Sequence, residues 1–461
     1  MADRLVPPPL RPPLAPAMVL LVTPMLMPSY LAYAGFGLAR APGTLIGEVV
    51  NRWPPALNVL FGQSLAVGGL ILWCWPLATV ALLGPVRRIE QEHLDHLTLS
   101  GAGWWQGLLQ RARMVRGALL ATVALITLLM LGSAVPLHLA VIPTLAIDLW
   151  AKLALSPAST AAWVASWPLV VAAIVGAVAL GRWFTADDPH DARLQQIPSA
   201  PATAAVVPFG AWLLGVVIPL VLFATSLKHS RLVGDFWGEH AQSVTDSLAV
   251  AAGVGGTMVL LALCTWYGAE TARGRAVVRG ILIVQLLGML LPGVLMGSAI
   301  VGLVNHPVLG GLGRDIADST AVVALGHLAR FGGARHRRWT LALAAGSANL
   351  RDARWLAAGE GVVAWLSLAV RPQIATLAGV AVTGACLSLH EIEATVQLQP
   401  PGYRSLAQVM LDNLHMNSIH ELAAAGINIL GVGVVLAAAG AFLLGRTGGA
   451  TNPSGRRIGS G

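Results

Sequence analysis

The sequence predicts an all-α, polytopic membrane protein with about ten transmembrane helices in two unequal halves. Three observations carry that expectation. The 461 residues are 56% hydrophobic and 11% charged, against about 25% charged in soluble domains, so a water-facing surface cannot be covered. The apolar residues fall in continuous runs of roughly twenty, the length of a spanning helix, without the strict alternation of a membrane barrel. Helices and closed barrels alone satisfy the backbone in lipid, which leaves helices.

In chain order the runs cover 15–37, 56–83, 116–136, 159–181, 203–227, 245–268, 279–304, 317–330, 373–390 and 422–445. The first follows Arg4 and Arg11, and Ala32-Tyr33-Ala34 mimics a signal-peptide cleavage site. The stretch from Leu14 to Leu38 is long for such a peptide, so it is read as an uncleaved span. The eighth run is short and carries His327. Polar segments 84–115 and 331–372 interrupt the series, and 183–202, polar and proline-containing, reads as a cytoplasmic linker. Cys74, Cys264 and Cys386 stand far apart inside apolar runs, a pattern of helix packing and not of a disulfide or metal framework.

Charge gives the runs a direction. With the N-terminus inside and ten crossings, the inside segments hold 22 of the 29 Lys and Arg and the outside segments the remaining seven. That is a positive-inside distribution, placing both termini in the cytoplasm of a bacterial inner membrane. The basic excess therefore reads as topology, and no nucleic-acid partner is expected; the partner of most of the surface is lipid. Lys152 and Lys228 are the only lysines. Neither follows a glycine, so no phosphate-binding loop exists, and the chain is expected to be no enzyme and to need no cofactor or metal.

The chain also looks doubled. A first half, 1–182, has about four spans around segment 84–115, and a second, 203–446, about six around segment 331–372; 447–461 is a polar tail. Each long segment reads as an amphipathic helix held at the cytoplasmic face. In the second, Asp352-Ala353 makes an acidic start, and Gly359 and Pro372 stand thirteen apart; in the first, Asp95 stands six before Gly101 and Met114 occupies the place of the proline. These segments resemble the coupling loop of binding-protein-dependent ATP-binding-cassette (ABC) importer permeases. The continuation LSLHEIEATVQLQPPGYRSLAQVM is similar to a signature of the ferric-iron-type permeases, with Glu391, Ala394, Thr395, Pro400, Pro401, Gly402, Leu406 and Ala407 in register. A fainter copy, Val135-Pro136 followed by Thr144-Leu145-Ala146, stands in the first half.

The resemblance implies a transport subunit moving a small solute, ferric iron or another ion. It implies ABC ATPase subunits docking on the two coupling segments, and a solute-binding protein on the periplasmic or extracellular side. The first half departs from it in span number and coupling motif, which implies weaker docking there. Glu391 and Glu393 are expected at the external end of the ninth span, followed by a turn at Pro400-Pro401-Gly402, where they face water or greet a cation; Thr395 belongs to the same stretch. His390, His415 and His420 lie nearby in sequence, but spacing does not show that they converge. An ion-driven secondary transporter is the first alternative, although no carboxylate stands in the central turns of any predicted span. A non-transporting membrane scaffold is the second.

Overall fold

The structure, a computed structural model, describes residues 21, 23–40, 44–87, 89, 96, 99–101, 103–185, 206–269, 272–332, 362–416 and 418–449. Among them it is all-helical, without a strand. Three helices are long and apolar enough to cross a bilayer: Pro55–Val86, Val206–Ser226 and Ala241–Gly268. Two sharply bent helix pairs raise the number to five. Several of the ten predicted runs are thus interrupted, and proline explains two of the breaks, because it fixes φ and lacks a donor. The first run breaks at Pro28, between a 3-10 turn at Thr23–Leu26 and α1 (Ser29–Leu38). The seventh bends by 113° at Leu291-Pro292.

After α1 come α2 (Leu45–Val50) and the long α3 (Pro55–Arg87). The polar segment closes with α4 (Trp104–Met114), bent by 77° from α5 (Arg116–Leu131). Then follow α6 (Val135–Leu139), α7 (Leu145–Leu155), α8 (Thr160–Ala165) and α9 (Trp167–Thr185), the last running three residues into the predicted linker. A second series opens with α10 (Val206–Ser226), α11 (Arg231–Glu239) and α12 (Ala241–Gly268). It continues with α13 (Ala272–Leu290), α14 (Gly293–Val304), α15 (Gly310–Ala317) and α16 (Ala321–Phe331). It ends with α17 (Ile374–Leu389), α18 (Glu393–Leu398), α19 (Leu406–His415) and α20 (Ile419–Gly449).

From α1 and from α14 onward the two series repeat one succession. Met25-Leu26-Met27-Pro28 leads into α1 and Met289-Leu290-Leu291-Pro292 into α14. Both prolines cap their helix in the same conformation, φ −54° and ψ 139° at Pro28, φ −53° and ψ 136° at Pro292. Helices α7 and α19 each start on a hydroxyl that accepts a backbone N–H, Thr144 from Ile147 and Ser405 from Gln408, the usual way to satisfy an orphan donor. Three residues before each cap the chain passes through the left-handed region, at Val141 (φ 57°) and Gly402 (φ 79°). Glycine adopts that conformation without strain, whereas a β-branched side chain resists it. Helices α10, α11 and α12 have no counterpart among the described residues of the first series, so the inequality of the halves falls there.

A proline-led helix of each series touches the capped helix of the other. Tyr30 and Leu31 of α1 are enclosed in one core with Ala407, Met410 and Leu411 of α19. The Tyr30 hydroxyl donates to the Ala407 carbonyl at 3.4 Å. Val294 and Leu295 of α14 are enclosed with Ala146, Leu149 and Leu153 of α7. Counted from the prolines, Tyr30-Leu31 corresponds to Val294-Leu295; counted from the caps, Ala407 and Met410 correspond to Ala146 and Leu149. The same contact is therefore made twice in opposite senses, as in an isologous interface.

Candidate functional site

Three chain breaks meet in the interior: the turn from α5 to α6, the bend from α13 to α14 and the turn from α17 to α18. Each leaves backbone N–H groups without intrahelical partners, and two carboxylates collect them. Glu393 Oε1 accepts from Ala134 N at 2.6 Å and Val135 N at 3.4 Å, and Oε2 from Gly293 N at 3.3 Å. Glu391 Oε1 accepts from Ala394 N at 2.8 Å. Arg330, at the end of α16, bridges the two. Its Nη1 lies 2.5 Å from Glu391 Oε1 and its Nη2 3.2 Å from Glu393 Oε2. The arginine side chain is 13% exposed and the carboxylates 5% and 6%. One guanidinium faces two carboxylates, and the positive ends of the helix starts offset the excess negative charge.

His327, one turn earlier on α16, extends the network. Its Nδ1 is 2.7 Å from Ser388 Oγ and its Nε2 2.8 Å from Thr395 Oγ1. The Thr395 hydroxyl donates to the Glu391 carbonyl at 2.7 Å, so it must accept from the imidazole. That places the ring proton on Nε2 and makes Nδ1 the acceptor for Ser388. Gly293 supplies the space: a Cβ there would stand 1.8 Å from Arg330 Nη1 and 2.7 Å from Glu393 Cβ.

The arrangement joins α6 of the first series to α14, α16 and α18 of the second. Its carboxylates are spent on the guanidinium and on backbone donors, so it acts as a lock on the helix breaks. Glu391, Glu393 and Thr395 do come together, but in the interior rather than at an external mouth, and the cation they meet is Arg330. Arg330 itself is no flank charge: removing it from the count leaves 21 of the 22 inside cations. Sequence spacing misplaced it because a basic residue closing a short apolar run has the local appearance of a topology signal. Its signal in the sequence was a histidine and an arginine one turn apart in that run, since ionisable groups within a membrane are functional candidates.

The other predicted residues lie elsewhere. Pro400, Pro401 and Gly402 form the turn between α18 and α19, and α18 stops at Leu398. Gly101 takes φ 69° just before α4, and Pro372 sits in a 3-10 turn, Arg371–Gln373, that leads into α17. Asp95, Asp352, Ala353 and Gly359 lie outside the described residues. The His415 ring centroid is 5.7 Å from that of His138, while His420 Nδ1 meets the Ser226 carbonyl at 2.6 Å. No three His, Cys, Asp or Glu side chains gather as metal ligands among the described residues.

Fold and network together define a class: among the described residues, an all-helical protein with three to five helices long and apolar enough to cross a membrane, packed around a buried charge network. No protein family, curated protein or solved structure matches the chain.

Proposed function

We propose that this chain is the permease subunit of a binding-protein-dependent ABC importer, with ten crossings in two halves and both termini in the cytoplasm of a bacterial inner membrane. The observation that carries the reading is the reciprocal contact of α1 with α19 and of α14 with α7. Two related halves packed around a shared seam can rock against each other, and a solute path between them can then face each side in turn. The solute, a small one, arrives on a binding protein outside. The work comes from a separate ATPase bound at segments 84–115 and 331–372. Helix α4 supports the coupling step: it turns sharply away from α5, and its Trp105, Leu108 and Leu109 are 60%, 50% and 43% exposed. An amphipathic helix whose Leu108 and Leu109 are exposed among the described residues suits a partner's groove.

A secondary transporter is the second reading, favoured by the buried Glu391 and Glu393. Their pairing with Arg330 weighs against it, because a carboxylate that carries a coupling ion must be free to exchange its partner. Reconstitution in liposomes with an ABC ATPase and a binding protein tests the choice. ATP-dependent accumulation of solute is expected; uptake that needs no ATP and follows an ion gradient refutes the proposal.

A further inference from the structure

A cleft of about 360 Å3 opens between the two series. Its walls come from α1, the start of α3, the end of α19 and the start of α20, and its polar lining is Tyr33, Arg40, Asn51, Asn58 and Asn413. On the positive-inside reading, Arg40, Asn51 and Asn413 stand in outside segments, so the cleft faces the side from which a solute arrives.

The electrostatics of the lining are one-sided. Among the described residues Arg40 supplies the formal charge and no carboxylate lines the cleft. Its guanidinium is tied at one corner, where Nη2 donates to the Asn58 carbonyl at 3.2 Å and to Asn58 Oδ1. Nε of Arg40 and Nδ2 of Asn413 have no acceptor among the described residues but are closed off from solvent, the cleft included, so the cleft meets these side chains through their other atoms. Arg40 makes no salt bridge among the described residues either. A guanidinium matches paired oxygens in a plane. Among the described residues the wall offers the guanidinium no acceptor that carries negative charge. The volume lies at the low end of ligand pockets, which run from about 300 Å3 upward.

We infer that this cleft binds a small anionic solute through carboxylate or phosphate oxygens, held by Arg40 with the amides of Asn51, Asn58 and Asn413. The inference rests on the importer reading for its place in transport, but binding itself needs neither the ATPase nor the binding protein. A bare metal cation is disfavoured by the same guanidinium.

The test uses the full chain in lipid nanodiscs without partners, and equilibrium binding of radiolabelled inorganic phosphate, citrate and ferric chloride. Saturable binding of phosphate or citrate is expected, and which of the two binds identifies the oxyanion. Arg40→Gln weakens it at least tenfold. Because Arg40→Gln also loses the tie to Asn58, a second variant, Asn413→Asp, keeps Arg40 and adds a competing carboxylate; it too abolishes anion binding. Gly62→Ala adds a Cβ 2.0 Å from Arg40 Nη1 and must displace the guanidinium, with a similar loss. Binding of neither anion, binding of ferric ion instead, or anion binding undiminished in Arg40→Gln overturns the inference. Loss of ATP-coupled transport with intact anion binding would count against the importer reading alone.

Discussion

Replacing Arg330 by methionine keeps most of the side-chain length and removes the charge from the buried network. Two charge-assisted hydrogen bonds disappear, at 2.5 Å and 3.2 Å. At about 1.5–3 kcal/mol each they sum to about 3–6 kcal/mol. The independent figure for breaking a buried ion pair from one side is about 3–5 kcal/mol, since two carboxylates stay enclosed without their counter-charge. A central value near 4 kcal/mol lowers the folded-to-unfolded ratio roughly a thousandfold. Cys74 gives a direct readout. It is free and 7% exposed, so with Cys264 and Cys386 changed to serine its alkylation during a denaturant titration reports unfolding. Arg330→Met should shift the midpoint by the stated amount. The triple variant Arg330→Met, Glu391→Gln, Glu393→Gln should recover part of it, because neutral amide oxygens still accept the backbone N–H of Ala394 and that of either Ala134 or Gly293, the NH2 of the amide at position 393 being unable to accept the other. A single variant within about 1 kcal/mol of the parent, below the cost expected for an unpaired buried charge, refutes the lock. So does a triple variant as unstable as the single.

Three further outcomes follow from the geometry. Tyr30→Phe removes one long hydrogen bond to Ala407 and should cost about 1 kcal/mol, while Tyr30→Ala empties a site that is 1% exposed and should cost about 3–5 kcal/mol, read by the same thiol assay. Val141→Asn should stabilise by about 0.5–1 kcal/mol, because asparagine tolerates the left-handed turn and the valine is 78% exposed; a lower melting temperature contradicts the strain. On the proposed importer reading, Leu108→Asp on α4 should abolish co-purification with an ABC ATPase and solute-stimulated ATP hydrolysis, while leaving the melting temperature of the isolated chain unchanged.

Much of this molecule is legible along the chain. Gly101 before α4, Pro372 before α17 and the turn at Pro400-Pro401-Gly402 do locally what their residue types dictate. A local repeat of helix starts was also legible, beyond the copies at Val135-Pro136 and Thr144-Leu145-Ala146. The two Met-Leu-x-Pro stretches at Met25 and Met289 mark it most clearly, yet both are buried in apolar runs where hydropathy sees no feature. The continuity of the runs was harder to read, because hydropathy averages across a proline that the backbone cannot ignore.

The sequence by itself determined an all-helical protein built for lipid, since composition and run length are sums over neighbours and need no fold to evaluate. Tertiary structure alone decided where the charges meet. Arg330 reaches Glu391 across 61 residues, and Ala134 reaches Glu393 across 259. Partners so far apart are set by how helices pack, and a carboxylate looks the same in sequence whether its counter-charge is a solute, water or a buried arginine. Packing resolved that choice in favour of Arg330, and it brought α1 and α14, which pack mainly within their own halves, each against a helix of the other.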